Sequence, residues 1–157
     1  RRQRQMCIRD SANAVQAFHS SPHFSTVQTS SLYQSKAFGV TDQPDFVNAV
    51  LKADTSLAPL DLLDFCQNLE RAAKRERLRH WGERSLDVDI LLYGDKTIQT
   101  PRLTIPHAGL FERNFVLIPL LELDSDLSVN GQRLATFNAN HWQEGLQKLS
   151  DSWAIIR

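Results

Sequence analysis

Cysteine is scarce in this 157-residue chain. Cys7 and Cys66 stand far apart and outside any C-x-x-C or mixed Cys/His spacing, which excludes a disulfide framework and a zinc site built on such a motif. A reducing, cytoplasmic setting is the expectation that follows. Net charge is also missing: eighteen basic side chains balance eighteen acidic ones. The whole-chain field therefore gives no general attraction for nucleic acid or for an anionic membrane, and any anion site must be local. No apolar run approaches the roughly 20 residues that a membrane-spanning helix requires. Arg1 to Met6 are basic but lead into no apolar stretch of the secretory kind. There are no internal repeats and no low-complexity tract.

What is present suits one ordinary domain, with 41% apolar residues for a core and 23% charged residues for the surface. Residues 1–11 form a polar, arginine-rich stretch with neither helical nor alternating period, which is expected to be a non-native or disordered tail ahead of a single domain over 12–157. The spacing of Ala14, Val15 and Phe18 predicts a short helix over 12–18, stopped at Pro22. Alternation predicts strands over 24–33 and 46–55, with a loop between them holding Gly39 and Pro44. Residues 57–75 carry Pro59 near their start and repeat Leu62, Cys66, Leu69 and Ala73 on one stripe, which predicts a helix. A charged loop over 75–83 and an apolar strand over 86–93 follow. Gly94-Asp95 reads as a hairpin turn into 97–100, and 141–149 reads as a helix. Strands interleaved with two or three helices point to an α+β sandwich.

The sharpest chemical signal is Asp87-Val88-Asp89. Side chains two apart on an extended chain share a face, separated by about 6–7 Å. Two carboxylates so placed repel one another unless a cation or an opposing charge lies between them, and hard oxygen ligands suit Mg²⁺. A solvated edge partnering nearby arginines accounts for the spacing equally well. Residues 70–84 shift the balance: Arg71, Lys74, Arg75, Arg77, Arg79 and Arg84 face only Glu70, Glu76 and Glu83. Guanidinium forks bind phosphate oxygens bidentately, so a basic loop beside paired carboxylates fits a polyphosphate carrying metal. Arg102-Leu103-Thr104-Ile105-Pro106-His107, with Arg113 and Phe115 beyond, adds further phosphate donors.

Taken in order, Glu70, Arg75, Arg77, Trp81-Gly82-Glu83-Arg84, Asp87-x-Asp89-Ile90, Gly94, Arg102 to His107, Arg113, Phe115 and Pro119-Leu120 closely resemble the signature region of the 6-hydroxymethyl-7,8-dihydropterin pyrophosphokinases. Ser31-Leu32-Tyr33 and Asp42 to Ala49 resemble the same family, and the likeness spans about residues 12–123. It implies a ferredoxin-like α/β/α sandwich with a mostly antiparallel sheet. It also implies transfer of pyrophosphate from ATP to the pterin in folate biosynthesis. By the same resemblance, Asp87 and Asp89 would hold two Mg²⁺ ions, and Arg75 and Arg84 would act catalytically on the triphosphate. Gln67, Glu70, Arg77, Trp81, Ile90, Arg102, Thr104, His107 and Arg113 would line the ATP side. Asn48 would read the pterin ring between the aromatic faces of Phe46 and Phe115, with Trp81 closing over it. The partners implied are the two small substrates, with no nucleic acid and no membrane, on a monomer.

The family opens with an apolar strand and a Gly-Ser-Asn-Leu turn that have no counterpart here, and a truncated or chimeric start is the expected reason. Lys74, His80, Glu83 and Ala108 also depart from the family pattern, in the loop and at the ATP rim. The alternative reading is a catalytically impaired, nucleotide-binding module of the same fold.

Overall fold

A computed structural model of the chain describes residues 2–35, 46–79, 86–137 and 145–149. Among the described residues, three α-helices and short strands, antiparallel wherever their register is defined, make it an α+β protein. The chain divides into two compact units, one of residues 1–27 and 53–107, the other of residues 28–52 and 108–157.

The first unit is built on two helices, α1 (Arg2–Ser20) and α2 (Pro59–Arg79). Helix α1 begins ten residues ahead of the expected start. Its opening turns, rich in Arg and Gln, have good helix propensity but no apolar stripe for periodicity to detect. Helix α2 starts as its sequence requires, with Pro59 in the first turn and Asp61 next to the positive end of the helix dipole. It runs four residues past the expected end, into the segment read as a loop, and residues 80–85 lie outside the described residues. Phe18 of α1, Phe65 of α2 and Phe24 of β1 (Phe24–Thr29) form a three-ring cluster with centroids 4.8 to 5.1 Å apart. Edge-on and tilted contacts of this kind join the elements beyond simple area burial. Strand β1 pairs with β4 (Leu51–Thr55).

Residues 86–93 have no ladder partner among the described residues, which corrects the strand expected there. Side-chain and backbone tethers hold them instead. The Val88 N–H donates to Glu70 Oε1 at 2.8 Å, the His107 N–H donates to the Leu91 carbonyl at 3.0 Å, and the Tyr93 hydroxyl donates to the Leu57 carbonyl. Gly94 turns the chain with φ +54°, as its position predicted. The hairpin that follows joins β5 (Ile98–Gln99) to β6 (Thr104–Ile105), not to residues 86–93.

The second unit centres on a three-stranded antiparallel sheet in the order β3 (Phe46–Asn48), β2 (Leu32–Ser35), β9 (Leu146–Leu149). The expected strand over 24–33 is broken at Ser30, which is buried and replaces the ladder locally. Its N–H donates to the Val50 carbonyl at 2.8 Å, and its Oγ accepts the Val50 N–H at 2.9 Å. The same exchange separates β3 from β4. Residues 146–149 pair with β2, which corrects the helix expected over 141–149; residues 141–144 lie outside the described residues. Helix α3 (Asn114–Leu123) packs on β2, and Leu117, Pro119 and Leu120 join Leu32, Leu110, Val129 and Leu134 in the core. A short hairpin of β7 (Ser128–Val129) and β8 (Gln132–Arg133) closes this side. Among the described residues no helix is long and apolar enough to cross a membrane.

One carboxylate anchors α3. Glu122 accepts hydrogen bonds from the Tyr33 hydroxyl at 2.6 Å and from the Ser31 N–H, and lies 3.4 Å from Lys148 Nζ. Burial pushes its pKa up, but the bonds from Tyr33 and Ser31, with the Lys148 charge, outweigh that and hold it below the ordinary 4.5. Burial and the neighbouring carboxylate raise the Tyr33 hydroxyl well above its usual value. A carboxyl depressed on folding stabilises the native state above its unfolded pKa, and that contribution is lost as pH falls through the folded value. Glu122→Gln should therefore lower stability at neutral pH, by up to about 1 kcal/mol once solvent screening of this partly exposed carboxylate is allowed for. In urea melts the gap to the parent protein should close as pH drops below 4.5; a gap independent of pH would contradict the assignment.

Candidate active site

In the first unit one face of α2 presents Asp64, Gln67 and Glu70, at successive steps of three residues. Two groups of expected site residues meet that face. Arg102 Nη2 donates to Asp64 Oδ1 at 2.7 Å and to Gln67 Oε1 at 3.2 Å, so the guanidinium is held beside the helix by two acceptors. Both members of the Arg102–Asp64 pair are about half exposed, which limits its strength to that of an ordinary surface ion pair. The second group is Glu70 with residues 86–90. Glu70 was read as part of the ATP lining; its Oε1 is occupied by the Val88 N–H, so the side chain places the segment carrying the two aspartates.

Exposure alternates along that segment. Asp87 and Asp89 are exposed, while Leu86, Val88 and Ile90 are half-covered. An extended chain produces this pattern when alternate side chains share a side, so the two carboxylates face solvent together although no ladder among the described residues holds them. His107 Nε2 lies 3.9 Å from Asp89 Oδ2, an ion pair whenever the imidazole is protonated. The Asp89 side chain remains 58% exposed, open to further ligands. Beneath them Cys66 is buried, and its thiol is pushed up to about 12 by burial first, then by the Glu70 and Asp89 charges. Glu70 and Asp89 thus both flank a dry patch of α2.

Other expected residues are placed separately. Arg75 is exposed on α2, and Thr104 is exposed on β6. Trp81 and Arg84 lie outside the described residues, as do the side chains of Arg77 and Phe46, whose backbones are in α2 and β3. In the second unit Asn48 is half-buried at the end of β3, in register with Tyr33 of β2. Arg113 stands at the N-terminal boundary of α3. Its guanidinium lies 5.8 Å from the centre of the Phe115 ring and so close over Gly109 that a Cβ there would sit 2.8 Å from Arg113 Nε. Residue 109 must therefore stay small for Arg113 to keep this position.

Two partners escaped the sequence reading. Asp64 fixes Arg102, and the stripe shared with Gln67 was a signal available for it. Glu122 has no local signal beyond being the one charged residue of an apolar helix.

Among the described residues no group of three or more His, Cys, Asp or Glu side chains forms a closed metal site. Two carboxylates are, however, the number with which Mg²⁺ is commonly held when it shares its remaining positions with water and phosphate oxygens. The donor set therefore fits a metal carried with a polyphosphate, not one caged by protein.

The family model for 7,8-dihydro-6-hydroxymethylpterin-pyrophosphokinase matches residues 3–125. The 2-amino-4-hydroxy-6-hydroxymethyldihydropteridine pyrophosphokinase of Haemophilus influenzae is 54% identical over 110 residues, which cover 70% of this chain and 69% of that one. Its counterpart in Pseudomonas aeruginosa is 44% identical over 137 residues, covering 87% and 85%. That of Methylorubrum extorquens is 38% identical over 141 residues, covering 90% and 84%.

The buried thiol offers a direct check on this geometry. In a Cys7→Ser background, Cys66 should react with a disulfide reagent at about pH 8 at least about a hundredfold more slowly in native protein than in denaturant. Equal rates would mean that the patch beneath Glu70 and Asp89 is open.

Proposed function

Because the chain belongs to the 7,8-dihydro-6-hydroxymethylpterin pyrophosphokinase family, we propose that Asp87 and Asp89 are the acidic residues around which its reaction is organised. The reaction is transfer of pyrophosphate from ATP to 6-hydroxymethyl-7,8-dihydropterin, giving AMP and the pterin diphosphate, a step of folate biosynthesis. The observation that carries the assignment is the joint exposure of the two carboxylates on a segment pinned to α2 by Glu70.

Asp87 and Asp89 are the proposed Mg²⁺ ligands. The metal, when bound, neutralises phosphate charge and orients the chain of phosphates. His107, 3.9 Å from Asp89, is positioned to donate to a phosphate or ribose oxygen. Arg102 is held by Asp64 and Gln67 at the face of α2, where its remaining N–H groups can serve the nucleotide. Arg75 and Arg84 are the proposed cationic stabilisers of charge that builds up when the pterin hydroxymethyl oxygen attacks the β-phosphorus. Arg77, Thr104, Ile90 and Trp81 complete the nucleotide side in this reading. On the pterin side, Asn48 supplies donors and acceptors to the ring edge, and Phe46 and Phe115 supply aromatic faces, with Arg113 stacked against Phe115. A ferredoxin-like arrangement, a monomeric state and a cytoplasmic setting belong to the same proposal.

Incubation with MgATP and the dihydropterin should yield AMP and the pterin diphosphate in equal amounts. Asp89→Ala should lower turnover by at least about a hundredfold, the scale of losing metal-assisted charge stabilisation. Unchanged turnover in that variant would remove its metal role, and nucleotide binding without AMP formation in the parent protein would favour the impaired module.

A further inference from the structure

Helix α3 is apolar along its whole length except for Asn114 at its start and Glu122 near its end, and Glu122 is its one charged residue. A carboxylate among such neighbours costs desolvation energy that a leucine would avoid. What it provides is a single geometry. Apolar surfaces slide over one another at little cost, whereas a carboxylate that accepts from the Tyr33 hydroxyl and the Ser31 N–H fits only one register of helix on sheet.

The register has consequences at both ends of the contact. Tyr33 of β2 stands directly opposite Lys148 of β9 on one side and Asn48 of β3 on the other. Directly paired residues on neighbouring strands project to the same face of a sheet, so Lys148, Tyr33 and Asn48 form one row across it. Glu122 grips the first two members of the row, through the Tyr33 hydroxyl at 2.6 Å and Lys148 Nζ at 3.4 Å. On the helix, Phe115 precedes Glu122 by seven residues, two turns along the same stripe and about 10 Å away. Two of the three residues read as pterin contacts in this unit, Asn48 and Phe115, are thus the row neighbour of Tyr33 and the stripe neighbour of Glu122.

We propose that Glu122, acting through Tyr33, is a positioning residue for pterin recognition: it locks α3 onto the β9–β2–β3 sheet and so sets the separation of Phe115 and Asn48. The inference rests on the reading of Asn48 and Phe115 as pterin contacts. Neither Glu122 nor Tyr33 touches substrate in it. Tyr33 is 6% exposed, its hydroxyl is already committed to Glu122, and its role is to carry the fixed position of the helix to the strand beside Asn48.

The test is steady-state kinetics of Tyr33→Phe, Glu122→Gln and Asn48→Ala, with each substrate varied in turn. Tyr33→Phe keeps the ring in the core and removes only the hydroxyl, so it should fold. It should raise the KM for the dihydropterin by about tenfold while moving the KM for MgATP by less than about twofold. Glu122→Gln, which retains one acceptor oxygen, should fall between it and the parent protein. An unchanged dihydropterin KM in Tyr33→Phe, or equal rises in both KM values, overturns the proposal. If Asn48→Ala weakens the pterin strongly and Tyr33→Phe does not, the positioning role alone fails. If Asn48→Ala has no effect on the pterin, the assignment beneath it fails and takes the inference with it.

Discussion

The hydrogen bond from the Val88 N–H to Glu70 is the constraint from which the rest of the candidate site follows. A segment with no strand paired to it among the described residues would ordinarily leave its backbone groups to water and its side chains without fixed directions. Here a carboxylate from the face of α2 takes up the central N–H, and the carbonyl of Leu91 and the hydroxyl of Tyr93 are engaged further along. Those three tethers hold residues 86–93, and along them exposure alternates so that Asp87 and Asp89 are both turned to solvent. Because Glu70 and Asp89 also raise the buried Cys66 thiol, the charges of the site border a dry patch of α2. Electrostatic attraction for a cation is stronger at such a border than over open solvent.

The second unit uses the same device. Glu122, from a helix face, accepts the Ser31 N–H just before β2, as Glu70 accepts that of Val88. In both units a helix carboxylate takes up a backbone N–H that no sheet ladder among the described residues engages. Such bonds are directional and charge-assisted, and a lost partner leaves a desolvated group behind. They therefore define position more sharply than the surrounding apolar contacts, which supply most of the burial.

This division of labour explains which features were legible in the sequence. Helix α2, with Pro59 at its start and a regular stripe over 62–73, was legible because its signals are local. The turn at Gly94 was legible for the same reason. The joint exposure of Asp87 and Asp89 is the alternation that their spacing of two leads one to expect. The absence of a ladder around them among the described residues was not legible, because the partner that takes up the Val88 N–H lies eighteen positions earlier on a helix. The break of the first long strand depends on a Ser30–Val50 exchange over twenty positions. Residues 146–149, whose periodicity suited a helix, became a strand through pairing with a segment more than a hundred positions away. At the site, the ordered arginines and aspartates were visible as a pattern, whereas Asp64 as the holder of Arg102 and Glu122 as the anchor of α3 required spatial neighbours that no local window contains.

The most direct measurement is the Mg²⁺ dependence of turnover in Glu70→Ala and Glu70→Gln at saturating substrates. If Glu70 orders the segment that presents both aspartates, removal of the acceptor should raise the Mg²⁺ concentration for half-maximal rate by on the order of tenfold, and the glutamine, which keeps one acceptor oxygen, should restore most of it. An unchanged Mg²⁺ requirement in Glu70→Ala would contradict the account.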